Sequence, residues 1–405
     1  MSELKGMAYL KNKLAVKKTR VDLRYDYYDM KNTVADLGIS TPPALRWMMG
    51  TLGWCGKAVD CLADRLSFRE FGGGDLFDLN GIFNLNNKDI LIDSAILGAL
   101  ITSCDFIYIT KDADGFPVMR VIDGGHATGE IDPVTNMLTE GYAILETDSN
   151  DAPIVEAYLL PHRTEVYRAG KLEQVMTHSA PYPLLVPVIY RPDAKRPFGH
   201  SRITRACMDI VKGAIRTVKR SEISAEFYSY PQRYVLGMDP EAQRLDKWQA
   251  AMSAMLRIDK DEDGDKPTVG QFQQQSQAPH LDQLRSQASL FAGETGLTLD
   301  DLGFPSQNPS SAEAIKASHE TLRLTARKAQ KTLGVGLLNA GYLAACLRDG
   351  QAYRRNELYS TTLQWDPIFE PDAAALGGIG DAVGKIQMAF PDYFTADKLR
   401  DLTGI

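Results

Sequence analysis

The chain has 405 residues with 44% hydrophobic and 24% charged content, the balance of a globular protein with room for two or three domains. Its formal net charge is −7, which argues against a protein that grips nucleic acid through a basic surface. No apolar run approaches the roughly 18 to 20 residues needed to span a bilayer, and the mixed start MSELKGMAYLKNKLAVKKTR lacks the apolar core of a secretory signal.

Residues 1 to about 70 read as helical. Leu45, Met48, Leu52, Cys55, Val59, Leu62 and Leu66 recur at three- and four-residue spacing. Pro42 and Pro43 suit a helix start, and Gly72, Gly73 and Gly74 then break the chain. GGGD reads as a loop rather than a phosphate cradle, because no G-x-x-x-x-G-K-[ST] accompanies it. Ile90 to Thr102 reads as a second buried helix.

From Asp105 to Tyr190 the pattern becomes β-rich. DFIYIT, VMRVID, YAILET, PIVEAYLL, TEVYRAG and LLVPVIY alternate with the turn clusters DADG, DSNDAP and RAGK. This predicts an antiparallel region, a small barrel or sandwich. GGH at 124 to 126 reads as turn chemistry rather than an oxyanion hole.

Ser201 to Tyr230 predicts a helix with Ile203, Cys207, Ile210, Ala214, Val218 and Ala225 on its apolar face. Lys212, Arg216, Lys219 and Arg220 cluster on another side. With Arg202 and Arg205 they make six bases against three acids. Such a face is either solvated or turned to a pore or neighbour. Pro231 interrupts this helix. Residues 231 to 278 then read as a compact α/β insertion: a strand at QRYVLG, a helix at EAQRLDKWQAAMSAMLRI, and a strand-like PTVGQF. A returning helix follows, with Leu281, Leu284, Ala288, Leu290 and Phe291 apolar.

The acidic run at 259 to 270 begins like a calcium loop, with Asp259, Asp261, Asp263, Gly264 and Asp265 in ligand register. An EF-hand needs a bidentate Glu at the twelfth position; Gly270 stands there, and Pro267 at the ninth. The run reads instead as a solvated acidic turn suited to a basic partner. The five cysteines, Cys55, Cys61, Cys104, Cys207 and Cys346, are scattered and odd in number. They read as reduced thiols. The six histidines have no metal spacing, and H-E-x-x-H, G-x-S-x-G, Walker A and C-x-x-C are absent. No catalytic residue, metal or cofactor is therefore assigned.

The stretch Glu294 to Leu324 is the most informative. A polar loop breaks sharply into a helix, with Ser310 and Glu313 at capping-box spacing after Pro309. Ile315, Leu322, Ala326, Ala329, Leu333, Leu337, Ala340, Ala344 and Leu347 then recur helically. That stripe predicts one helix of about nine turns. Gly303, Pro305 and Pro309 deny the loop a regular helix, and its charges, Asp300 and Asp301, are both acidic. Residues 351 to 372 predict a strand, and the tail from Ala373 one helix and a second short one.

The words NPSSAEAI at 308 to 315, GHSRI at 199 to 203, Trp365 with Pro367, and the W…aVd…Rl…gF pattern within 45 to 71 resemble portal proteins of tailed bacteriophages, of siphophage type. The resemblance spans nearly the whole chain. It implies an α+β portal fold. Residues 1–198 form a wing, helical and then β-rich. Stem helices 199–230 and 279–296 flank an α/β clip at 231–278. The tunnel loop is 297–309, the long spine helix 310–350, the wing return strand 351–372, and the short helical crown 373–405.

The resemblance also implies a ring, usually of twelve subunits, at one capsid vertex of the virion, assembled in the host cytoplasm. Partners would be the terminase large subunit, head-completion or adaptor proteins, capsid and scaffold proteins, and double-stranded DNA passing without sequence specificity; no membrane is involved. Leu297, Asp300, Asp301, Phe304, Gln307 and Asn308 would face DNA, and Asp259, Asp261, Asp263 and Asp265 would form the clip's partner-binding tip. ATP hydrolysis would belong to the terminase. One departure stands out: relatives often have glP where this chain has Gly296-Leu297-Thr298. Two other classes remain open from the residues alone, a metal-dependent nuclease or hydrolase using the acidic clusters and a monomeric capsid or scaffold adaptor.

Overall fold

The computed structural model describes residues 4–34, 47, 50–73, 77–229, 233–236, 268–271, 276–305, 312–369, 373–391 and 393–403. The chain divides into two compact units. One comprises Met1–Asn32, Gly53–Met208 and Thr295–Ile405; the other comprises Thr33–Leu52 and Asp209–Glu294.

The larger unit opens with helix α1 (Met7–Tyr28). It has no Gly or Pro inside, and Leu10, Leu14 and Val21 are its buried stripe. Helix α2 (Trp54–Ala63) follows, then strand β1 (Phe68–Gly72), α3 (Leu79–Leu85) and α4 (Lys88–Thr102). The first 70 residues are therefore not all helical. Of the expected apolar stripe, Leu45 and Met48 lie outside the described residues and Cys55, Val59 and Leu62 lie on α2, whereas Phe68 to Gly72 is strand because it pairs with β12 (Thr362–Trp365), Phe68 opposite Trp365. The two rings meet edge-on at 5.4 Å.

Eight strands form two sheets. Strand β2 (Cys104–Lys111) is central between β3 (Pro117–Ile122) and β9 (Leu185–Ile189). Its first six residues are buried, so both faces are covered. Strands β4 (Ala127–Ile131), β5 (Leu138–Thr147), β6 (Pro153–Leu160), β7 (Arg163–Arg168) and β8 (Lys171–Thr177) form an antiparallel meander. The β7–β8 turn is two residues, Ala169 and Gly170, both at positive φ, as a tight hairpin with right-handed twist requires. The arrangement is two open sheets, with β5 reaching β9 where Gly141 lies against Leu185, and not a closed barrel.

Helix α5 (Arg205–Ser229) leads into the smaller unit, where β10 (Arg233–Leu236) pairs antiparallel with β11 (Thr268–Gln271). Helix α6 (Ala278–Thr295) returns. The residues from 237 to 267, with the expected insertion helix and the acidic run Asp259, Asp261, Asp263 and Asp265, lie outside the described residues. So do Gln307, Asn308 and Ser310.

The expected single spine helix is two helices, α7 (Ala312–Ser318) and α8 (Glu320–Asp349). They break at His319, with φ −94° and ψ 9°. Its imidazole Nδ1 lies 2.9 Å from the Ile315 carbonyl, a side-chain contact that competes with the regular ladder. Only from Leu322 does the predicted stripe run buried; Ile315 is exposed. Helices α9 (Ala373–Ala389) and α10 (Ala396–Thr403) end the chain.

Candidate functional site

Where the smaller unit leaves and rejoins the larger, the chain is tied by Ser201 and Arg202. The Ser201 hydroxyl donates to the Ile101 carbonyl at 2.6 Å. The Arg202 N–H donates to the Leu100 carbonyl at 2.8 Å. The Arg202 guanidinium, 7% exposed, donates from Nε to Ala58 O at 3.2 Å and from Nη2 to Thr295 O. One buried arginine thus gathers carbonyls from α2 and from the last residue of α6. Charge counting placed Arg202 with the basic face of a helix. Its real partners are backbone carbonyls scattered over more than 200 residues, and no local pattern shows them.

The segment after Thr295 is a folded turn. Gly296 has φ +71°, and a Cβ there would lie 2.8 Å from Thr321 Cγ2, so both conformation and space demand glycine. Leu297 and Leu302 are buried. A 3-10 turn covers Asp300–Leu302. The Asp301 carboxylate accepts from the Thr298 N–H and hydroxyl, both at 2.8 Å, and lies 3.3 Å from His319 Nε2. Burial works against its ionisation, but the Thr298 donors and His319 outweigh it and hold the carboxyl below its usual range.

Of the residues expected to face DNA, Leu297 is therefore packed inside its own chain, and Asp301 is engaged by its own turn. Both are corrections to the reading of an open acidic loop. The short sequence T-x-x-D, read as part of that loop, is the local cap that folds it. Asp300 is exposed and Phe304 half-buried.

Within the smaller unit α5 and α6 run antiparallel: Gly213 faces Gln287, and Ser221 Oγ reaches Gln277 Oε1 at 3.4 Å. The buried face of α5 is turned from the expected one. Val211 and Ile215 are buried with Cys207, Ala214 and Ile223, whereas Ile210, Val218 and Ala225 are not. The rotation follows the i, i+4, i+8 ridge of Cys207, Val211 and Ile215. On α6, Ala288 and Phe291 are buried, but Leu281 and Leu290 are exposed.

The four expected basic residues of α5 are half-buried, not fully solvated. Lys212 lies 3.5 Å from Asp209, and the Arg216 Nε is buried without a hydrogen-bond partner in the described residues. Glu313 falls inside α7, one residue past its start. Among the described residues no cluster of three His, Cys, Asp or Glu could hold a metal ion, none of the five cysteines is in a disulfide, and no helix is long and apolar enough to cross a membrane.

Against known proteins, the chain is 26% identical over 391 residues to the portal protein of Mycobacterium phage L5, covering 90% of this chain and 79% of that protein. It is 25% identical over 391 residues, with the same coverage, to the portal protein of Mycobacterium phage D29. The resemblance is to phage portal proteins. No protein-family model matches the sequence. Among solved structures, a chain of the neck of an empty gene transfer agent particle, computed with C6 symmetry, gives a TM-score of 0.48 at 12% identity, covering 91% of this chain and 95% of that one. A chain of the virion of the native particle gives 0.46 at 12%, covering 87% and 89%. The portal-like stretch includes both ends of the α5–α6 excursion and the turn that follows it.

Proposed function

We propose that this chain is the subunit of a phage portal ring: a conduit for genome packaging and ejection at one capsid vertex of the virion. The observation that carries the reading is the similarity to two portal proteins across 90% of the chain. The element order supports it: helix α5, a β10–β11 insertion, returning helix α6, a folded turn, then a long helix. In this reading α5 and α6 are the stem, residues 231–278 the clip, residues 297–309 the tunnel loop, α7 and α8 the spine, β12 the wing return strand, and α9 with α10 the crown.

The ring, of twelve copies by family resemblance, receives the terminase large subunit through the clip and later head-completion proteins. It meets capsid and scaffold proteins at its periphery. The acidic run Asp259 to Asp265 supplies the clip's partner surface. Replacing Asp259, Asp261 and Asp263 with Asn should weaken terminase capture in a pull-down while rings persist; undiminished capture would remove that run from the docking surface. DNA passes without base readout, and hydrolysis of ATP is left to the terminase.

Negative-stain images of the purified chain test the central claim. Closed rings with a central channel are expected, since head-to-tail contacts of identical copies close into rings. A chain that stays monomeric at high micromolar concentration across salt conditions would overturn it.

A further inference from the structure

Two helices of the larger unit carry exposed faces that complement each other. On α1, Tyr9, Val16 and Leu23 are exposed, Val16 to 65%. They recur every seven residues, a seam about 21 Å long at 1.5 Å per residue. A seven-residue apolar repeat left in solvent is the pattern of a helix that meets another helix. Alongside the C-terminal half of the seam, Asp22, Asp26 and Asp29 are exposed at four- and three-residue spacing. Asp29 pairs locally with Lys31 at 2.8 Å; Asp22 and Asp26 make no ion pair among the described residues.

On α8 the exposed face carries the opposite sign. Leu324 and Val335 are exposed apolar residues, and Arg327, Lys328 and Lys331 between them are exposed bases. Lys328 and Lys331 make no ion pair among the described residues. Asp22 and Asp26 lie beside the apolar seam on α1, together with one exposed base, Arg20, and bases lie between the apolar positions on α8.

The two helices pack on different sheets, α1 on β4 and β5 of the meander and α8 on the three-stranded sheet. Asp105 pairs with Val188 and Phe106 with Pro187 in the β2–β9 register, so Val188 and Phe106 point to different sides. Gly336 of α8 lies against Val188. Lys17 of α1 lies over the Phe106 ring, 4.9 Å from its centroid. One chain cannot bring its own α1 and α8 outer faces together, but two copies head to tail can.

We infer that the outer face of α8 in one copy docks on the exposed heptad seam of α1 in the next, with Lys328 and Lys331 opposed to Asp22 and Asp26. The contact rests on the ring reading above and specifies which surfaces join. It is heterologous, the kind that closes a ring and not a two-fold dimer. Screening by salt should weaken it.

Charge reversal tests it by mass photometry of the full chain. The double substitutions Asp22→Lys with Asp26→Lys, and Lys328→Glu with Lys331→Glu, each place like charges across the contact. Each should lower the assembled fraction roughly tenfold at a concentration where the unsubstituted chain is half assembled. All four reversals together should restore assembly, an outcome that a merely misfolded variant cannot produce.

A second readout is independent of charge. Leu23→Cys with Leu324→Cys should give disulfide-linked multimers on mild oxidation. If unsubstituted rings form and both doubles assemble equally well, the contact is wrong and the ring reading stands. If the doubles fail and the fourfold reversal does not rescue them, the pairing is wrong. If the unsubstituted chain never assembles, both readings fall together.

Discussion

Replacing Arg202 with Met keeps the aliphatic bulk and removes the donors. Two carbonyls, Ala58 O and Thr295 O, then lose their partner in a site where Arg202 is 7% exposed. A buried acceptor left unsatisfied costs about 1 to 3 kcal/mol. The substitution also removes the cost of burying a guanidinium, so the net loss should fall near 3 kcal/mol and not at the sum of the two upper limits. The main-chain bond from Arg202 N to Leu100 O survives, as does the Ser201 bond to Ile101 O, so the start of α5 should stay anchored on α4. The damage should appear at the two acceptors. Hydrogen exchange read by mass spectrometry should quicken in peptides covering 54–63 and 290–300, and not in the meander 127–177. Arg202→Lys should recover only part of the loss, because one ammonium cannot reproduce a fork reaching two carbonyls. Unchanged exchange in both peptides, with an unchanged melting curve, would refute the view that Arg202 ties the ends of the excursion together.

Further outcomes follow from other contacts. His126 is held between Asp123, with which it makes a short contact, and Asp151 at 2.9 Å. The Asp123 hydrogen bond, helped by Asp151, outweighs burial and raises the imidazole to about 9. A pKa raised on folding gives stability that is complete below pH 6.5 and lost as pH rises through 9. The loss is roughly 2 to 3 kcal/mol after allowing for partial exposure, and His126→Gln should flatten melts recorded from pH 6 to 10. Gly98→Ala should destabilise by about 2 to 3 kcal/mol, because its Cβ would fall 1.7 Å from Asp105 Oδ2 in a site closed to water; a neutral melt would show that the carboxylate can move. In the portal reading Asp300→Lys should alter packaged-genome yield, whereas Asp301→Lys should lower the melting temperature, and by more than Asp300→Lys, by breaking the Thr298 cap. Equal effects of the two on the melt would contradict the division of roles.

Much of the fold was legible because it rests on local chemistry. The β meander announced itself through β-rich runs and polar turns, and the residues RAGK became the two-residue hairpin that Ala169 and Gly170 allow. Strands without those marks escaped notice. Lys171–Thr177 is exposed on nearly every residue, so it carries no alternation, and its existence depends on β7 as partner. β1 is strand because a segment nearly 300 residues later pairs with it, which no window around Phe68 contains. Periodicity predicts a continuous spine helix because it sees apolar positions and not the local change of dihedral angles at His319, where the imidazole also reaches the Ile315 carbonyl.

The charged residues were the least legible, and α1 shows why. Its lysines look like a solvated basic helix, yet the structure spends them on the sheets. Lys13 lies 2.6 Å from Glu130, Lys11 lies 2.7 Å from Glu156, and Lys18 pairs with Asp151. Glu140, 1% exposed, accepts the N–H groups of Lys5 and Gly6 at 2.9 and 3.1 Å and the Tyr158 hydroxyl at 2.8 Å. A buried carboxylate in a strand thus caps a helix from across the fold, where the helix dipole favours negative charge. The Tyr142 hydroxyl donates in turn to Glu156, so two tyrosine–glutamate pairs cross the β5–β6 ladder under α1. With its inner lysines committed in this way, α1 turns outward the apolar seam, the acids Asp22 and Asp26, and one base, Arg20. The two acids on that outer face stand out only after tertiary pairing, since the same helix counted residue by residue is basic.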